Sequence, residues 1–176
     1  LAFRMIVVPF TEPAHERQDF RVAPHPRREP LEAGECAIGV VVVTHGQLAT
    51  ELLNAAEMIV GDLPRFAAVS IGWHDDVNVA REAIQRAAGR VDQGAGVLLL
   101  TDMFGGTPSN LGLSLLEAGR VEVVTGVNLP MLIKLAGLRD TSSLLDAARQ
   151  IREHGRNAIW VASDLLHGDP GGQGSP

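Results

Sequence analysis

The sequence predicts an α/β fold, doubly wound, with a mostly parallel central sheet and helices on both faces. Two observations carry this. Short apolar runs alternate along the chain with longer amphipathic stretches at helical spacing. Strand and helix in alternation imply parallel strands joined by right-handed crossovers. The apolar runs are also nearly continuous, as buried strands of a parallel sheet are.

The elements follow in order. Cys36 to Thr44 is the first strand, built on Ile38-Gly39-Val40-Val41-Val42-Val43. Gln47 to Val60 is a helix with Leu48, Leu52, Ala55 and Ile59 on its inward face. Phe66 to Ile71 is a strand. Asp76 to Arg90 is a helix that turns Val79, Ala83, Ile84 and Ala87 inward. Gly96 to Thr101 is a strand, and Thr107 to Glu117 a helix that stops before Gly119. Val121 to Thr125 is a short strand and Leu129 to Ala136 a short helix. Ser142 to His154 is a helix closed by Gly155 at the favoured C′ position. Ala158 to Ala162 is the last strand.

Residues 1–35 break the pattern. They hold Pro9, Pro13, Pro24, Pro26 and Pro30, five of the ten prolines, with five arginines and no sustained periodicity. Such a segment cannot bury enough apolar surface to offset its ordering entropy, so a disordered arm is expected. The Gly/Pro-rich residues 168–176 are expected to form a disordered tail. One domain over 36–167 lies between them.

The 176 residues are 45% hydrophobic and 20% charged, ordinary for a globular protein. A net charge of -6 argues against a nucleic-acid partner and a polybasic membrane patch. Cys36 is the one cysteine, so an internal disulfide and a cysteine-rich metal site are both excluded. It reads as a buried, inert thiol. No apolar run is long enough to span a bilayer, and Leu1 to Phe10 lacks a signal-peptide layout. A cytoplasmic protein is expected. Lys134 is the single lysine beside 14 arginines, so a scheme that needs an active-site lysine must use it.

Two strand ends carry the chemistry. Thr44-His45-Gly46 closes the first strand, and open parallel sheets place ligands at the carboxyl ends of their strands. A histidine there can be a general base, a metal ligand or a nucleophile. The third strand ends in Asp102-Met103-Phe104-Gly105-Gly106-Thr107-Pro108-Ser109-Asn110. Thr107 is a good N-cap and Pro108 suits the first helical position. Gly105 and Gly106 let backbone amides approach a ligand, and a helix start favours an anion. The string describes a phosphate cradle beside Asp102. There is no GxxxxGK[ST] and no GxGxxG after the first strand, so neither a P-loop nor a dinucleotide site is supported. No cofactor and no metal are expected.

His45 and Asp102 end parallel strands, so both lie on one edge of the sheet. A carboxylate on one imidazole nitrogen fixes the tautomer and leaves the other nitrogen with a lone pair. Histidine has a reference pKa of about 6.5 and is substantially neutral at cell pH. That nitrogen can attack a phosphoryl group whose oxygens the helix start holds, giving a phosphohistidine.

Plainer roles compete. His45 alone suits a structural histidine equally well, and Gly105-Gly106 alone suits a simple connection. Together they favour chemistry. His74 with Asp75 and Asp76 raises a metal site completed by His45, against carboxylates that merely cap a helix. His154 suits the dipole of its helix. His15, His25 and His167 lie in weakly patterned segments and receive no role. Trp73 reads as loop packing. Asn128 reads either as a turn residue or as part of the site.

The chain resembles the enzyme IIA component of the mannose-type family of the phosphoenolpyruvate:sugar phosphotransferase system. Three motifs carry the likeness: Val43-Thr44-His45-Gly46, the Asp102 to Asn110 string, and Gly126-Val127-Asn128-Leu129-Pro130-Met131. The resemblance runs from about Ala37 to Leu165. It implies that His45 takes a phosphoryl group on Nε2 from the phosphocarrier HPr and passes it to a histidine of an enzyme IIB. It implies that Asp102 orients His45 through Nδ1, and that Gly105, Gly106 and Thr107 hold the phosphoryl oxygens. Thr44, Phe104 and Asn128 would belong to the rim that partners meet. It further implies a homodimer that exchanges Ala158 to Ala162, with a membrane permease involved only indirectly. No IIB sequence follows, so a IIA protein with its IIB on a separate chain is expected. Gly72-Trp73-His74-Asp75-Asp76 departs from the family, which often has Pro-Gly and an acidic residue there. Two other uses stay open: a regulatory IIA without a cognate permease, and the phosphotransfer subunit of a dihydroxyacetone kinase.

Overall fold

Valine favours extended backbone because its branched side chain is stiff at χ1. Four valines in a row make β1 (Gly39–His45), buried along its length except at His45. The computed structural model describes residues 37–138 and 143–167. β2 (Phe66–Ile71), β3 (Val97–Thr101) and β4 (Val121–Thr125) complete a four-stranded sheet in the order β2-β1-β3-β4. Every pair is parallel, with His45 opposite Ile71, Val43 opposite Thr101, and Thr101 opposite Thr125. All four strand ends therefore reach one edge.

The helices are α1 (Leu48–Val60), α2 (Val77–Val91), α3 (Thr107–Leu113), α4 (Leu129–Gly137), α5 (Leu144–Asn157) and α6 (Ala162–His167). Side chains of a strand alternate between faces. Val40, Val42, Leu98 and Leu100 pack under α1, α4 and α5. Val41, Val43, Leu99 and Val97 pack under α2 and α3. Two cores thus sandwich one sheet, and the wound arrangement expected from the alternation is present.

Several local expectations are corrected. The inward face of α1 is Ala49, Leu52, Leu53, Ala56 and Val60, while Leu48 and Ile59 are exposed. Small alanines let the helix backbone lie close to the sheet, and larger residues in that phase would hold it off. On α2, Ala80 takes the inward place expected for Val79, which is exposed. α3 ends at Leu113 rather than at Glu117, which instead forms an antiparallel bridge with Val121. α5 continues past Gly155, which is buried inside it. A Cβ there would stand 2.7 Å from the Met131 side chain, so close packing and not helix termination selects the glycine.

Ala158 to Ala162 is not a strand in this chain. Ala158 caps α5, and Ala162 opens α6. Ile159, Trp160 and Val161 are strand formers by type, but among the described residues no strand pairs with them and all three are exposed. The arm over 1–35, the tail over 168–176, Cys36 and Ser142 lie outside the described residues. Among the described residues no helix is long and apolar enough to cross a membrane.

Candidate functional site

His45 is the last residue of β1, where the strand leaves the sheet and the burial of its neighbours stops. Its side chain is 45% exposed, against 14% for Asp102 one strand away. Asp102 follows directly on Thr101, the last residue of β3. Its Oδ2 lies 2.8 Å from His45 Nδ1 and accepts the His45 backbone N–H at 2.9 Å. Its Oδ1 accepts the Met103 N–H at 2.9 Å. Three bonds fix the carboxylate, so it in turn fixes the ring.

Burial pushes the Asp102 carboxyl up. The bonds from the His45 N–H, the His45 ring and the Met103 N–H, with the Coulombic pull of the ring, outweigh burial and hold the group below the ordinary carboxylate range. An ionised carboxylate can only accept, so the proton of a neutral imidazole belongs on Nδ1 and the lone pair on Nε2. The sign of the stability effect follows. A depressed folded value contributes stability that is complete above the unfolded value of about 3.9 and is lost as pH falls through the lower folded value. The stability advantage of wild type over Asp102→Asn is expected to shrink below about pH 3.9, read from urea unfolding at a series of pH values. An advantage that grows with acidity would contradict the assignment.

Nε2 faces the start of α3. Gly106 is the N-cap there and Thr107 the first helical residue, so the helix starts one residue earlier than expected. An ideal Cβ at Gly106 would stand 2.6 Å from His45 Cε1 and 3.1 Å from Nε2, so only glycine leaves the ring its place. Gly105 turns the chain with φ +85, a backbone region that L side chains rarely adopt. A helix start leaves its first N–H groups without intrahelical acceptors. Asp76, Asn128 and Ser143 cap α2, α4 and α5, and Thr44 Oγ1 accepts the Ala49 N–H of α1 at 2.7 Å. No side chain caps α3. Its amides and the positive end of its dipole therefore face the same space as Nε2.

A family described as "PTS system fructose IIA component" matches residues 39–152. The chain belongs to the mannose/fructose EIIA family of the phosphotransferase system. As an EIIA component it takes part in protein-histidine phosphotransfer, with sugar uptake as the family context. It is 29% identical over 130 residues to the "PTS system fructose-specific EIIA component" of Bacillus subtilis, covering 73% of this chain and 89% of that protein. It is 33% identical over 115 residues to the "PTS system mannose-specific EIIAB component" of Escherichia coli, covering 62% of this chain and 34% of that one. The chain thus spans about a third of that relative's length. Among solved structures, a PTS IIA protein associated with the fucose utilization operon of Streptococcus pneumoniae matches with a TM-score of 0.67 and 27% identity. That match covers 76% of this chain and 99% of the other.

The remaining candidates of this EIIA chain separate clearly. Thr44 is fully buried with its hydroxyl bonded beneath α1, so it supports the site from below and does not stand on a rim. Asn128 stands at the same sheet edge after β4. Its Oδ1 accepts the Met131 N–H and its Nδ2 donates to the Gly155 carbonyl, so its side chain ties α4 to α5. Phe104 is exposed beside the site. In the loop of His74, Asp75 accepts the Gly72 N–H and Asp76 caps α2, as the plainer reading of these carboxylates has it. Among the described residues no three His, Cys, Asp or Glu side chains gather as a cation site. Trp73 does not pack in its loop; it is 93% exposed.

Proposed function

We propose that His45 accepts a phosphoryl group on Nε2 from phospho-HPr and passes it to a histidine of an enzyme IIB, in the service of sugar uptake. One observation carries this: the 2.8 Å contact of Nδ1 with Asp102, which leaves Nε2 turned toward the uncapped start of α3. The Nε2 lone pair attacks phosphorus as the P–N bond of the donor breaks, and the donor imidazole recovers its electron pair. Gly105, Gly106 and Thr107 hold the phosphoryl oxygens through backbone amides. Phosphoryl transfer asks a protein mainly for positioning and charge stabilisation, and these parts supply both. Transfer to IIB is the same step with His45 as the leaving group.

Phe104 and Asn128 form part of the rim that both partners cover. The working state we propose is a cytoplasmic homodimer that exchanges residues 158–162; the exposed Ile159, Trp160 and Val161 support it. The membrane permease is reached only through IIB.

Incubation with phosphoenolpyruvate, enzyme I and HPr tests the proposal. The chain is expected to take up phosphate that is acid-labile and alkali-stable. An acid-stable phosphate, or no label, would rule it out. Asp102→Asn leaves at most a neutral acceptor for Nδ1 in place of a charged one, so the ring is held and its tautomer fixed less firmly. Transfer is expected to slow roughly 10- to 100-fold, as for other partners that orient a functional imidazole. Wild-type rates in stopped flow would strip Asp102 of this role.

A further inference from the structure

Large apolar side chains are exposed around His45 on both sides. β2 and β3 flank β1, so the loops that follow them stand to the left and right of the histidine. Trp73, two residues beyond the Ile71 that pairs with His45, is 93% exposed. Across the site Phe104 is 72% exposed, with Met103 exposed beside it. Leu48 and Val77, the first residues of α1 and α2, are exposed near the same edge. A cluster of this kind at one edge, rather than single exposed residues, marks an interaction surface.

The charge of this frame is one-sided. Residues 44–51, 72–79 and 102–109 carry Glu51, Asp75, Asp76 and Asp102, and neither Lys nor Arg. A phosphoryl group that enters here finds helix amides but no cationic side chain in these segments. A protein that fits this edge therefore has an apolar centre around its own phosphohistidine, ringed by Lys or Arg. Direct transfer between two imidazoles also leaves no choice of face, because the partner must bring its ring within bonding distance of Nε2.

We propose that Trp73 on one side of His45, with Met103 and Phe104 on the other, forms a two-sided apolar clamp that seats phospho-HPr, with Trp73 as its main anchor. This rests on the function proposed above. In the transfer the partner's P–N bond breaks as the bond to Nε2 forms, and the clamp takes no part in bond making. An exposed indole buries about 150–250 Å² when covered, which makes it a natural anchor of an interface.

Steady-state transfer from phospho-HPr to the full chain tests this. Trp73→Ala is expected to raise KM about tenfold or more, as loss of an interface anchor does, with kcat within about twofold of wild type. Trp73→Phe is expected to recover most of the lost affinity. In a Trp160→Phe background Trp73 is the sole tryptophan of the chain. Its emission is expected to shift to the blue on addition of unphosphorylated HPr. Unchanged KM in Trp73→Ala, or emission indifferent to HPr, with wild type labelling normally, overturns the clamp alone. Failure of wild type to take label from phospho-HPr overturns the functional proposal and the clamp with it.

Discussion

His45→Ala is expected to take no label from phosphoenolpyruvate, enzyme I and HPr, while folding as wild type does. The two halves of that statement have separate causes. Loss of the ring removes Nε2, the nucleophile that faces the α3 start. The fold loses little. His45 is the one exposed residue of β1, and its truncation leaves the strand ladder intact. Asp102 keeps the backbone N–H bonds from position 45 and from Met103, so the carboxylate is not orphaned. A single hydrogen bond to a charged group is worth at most about 1.5–3 kcal/mol net. The urea midpoint should move by no more than that implies. Label on His45→Ala equal to wild type would place the nucleophile elsewhere. Loss of label together with a collapse in stability would mean that the histidine is structural.

The pairing of His45 with Asp102 was legible in the sequence because a parallel sheet turns linear order into geometry. Two apolar runs that end in polar residues end on the same edge, and β1 and β3 are adjacent. Helix faces were less legible. α1 holds Leu48, Ala49, Leu52, Leu53, Ala55, Ala56, Met58, Ile59 and Val60, enough apolar residues to fit more than one helical phase. The sheet selects the phase with Ala49 and Ala56 inward because close approach needs small side chains, and size is a property of the contact. Ala158 to Ala162 failed for a related reason: propensity reports what a segment favours, while a strand exists only with a neighbour. Trp73 was missed because an apolar residue is expected to be covered, and among the described residues nothing covers it. The steric demand at Gly106 had no signal at all, since it depends on where a ring from another strand points.

Gly105 and Gly106 adjoin in sequence, and substitution of each by alanine is expected to fail in a different way. At Gly106 the backbone has φ -86, which alanine adopts freely, so the turn itself is not strained. The new Cβ meets His45 Cε1 at 2.6 Å, inside any permitted contact. The ring is half-exposed and can swing outward, so the clash is relieved by moving the nucleophile and breaking its 2.8 Å bond to Asp102. Displacement of a reacting atom by about 1 Å costs on the order of 10²-fold. Gly106→Ala is therefore expected to slow phosphoryl transfer by about 10²-fold or more, with an unfolding midpoint close to wild type. Gly105 is the reverse. Nothing stands within 4 Å of its Cβ position, but its φ is +85. Alanine there strains the backbone by about 1–2 kcal/mol without touching the ring. Gly105→Ala should lower stability by that amount and slow transfer far less. Urea unfolding and single-turnover transfer, measured on both variants, separate the two effects. If Gly106→Ala transferred at the wild-type rate, the ring would not need the space that glycine keeps. The close approach of α3 to Nε2 would then be incidental to the chemistry.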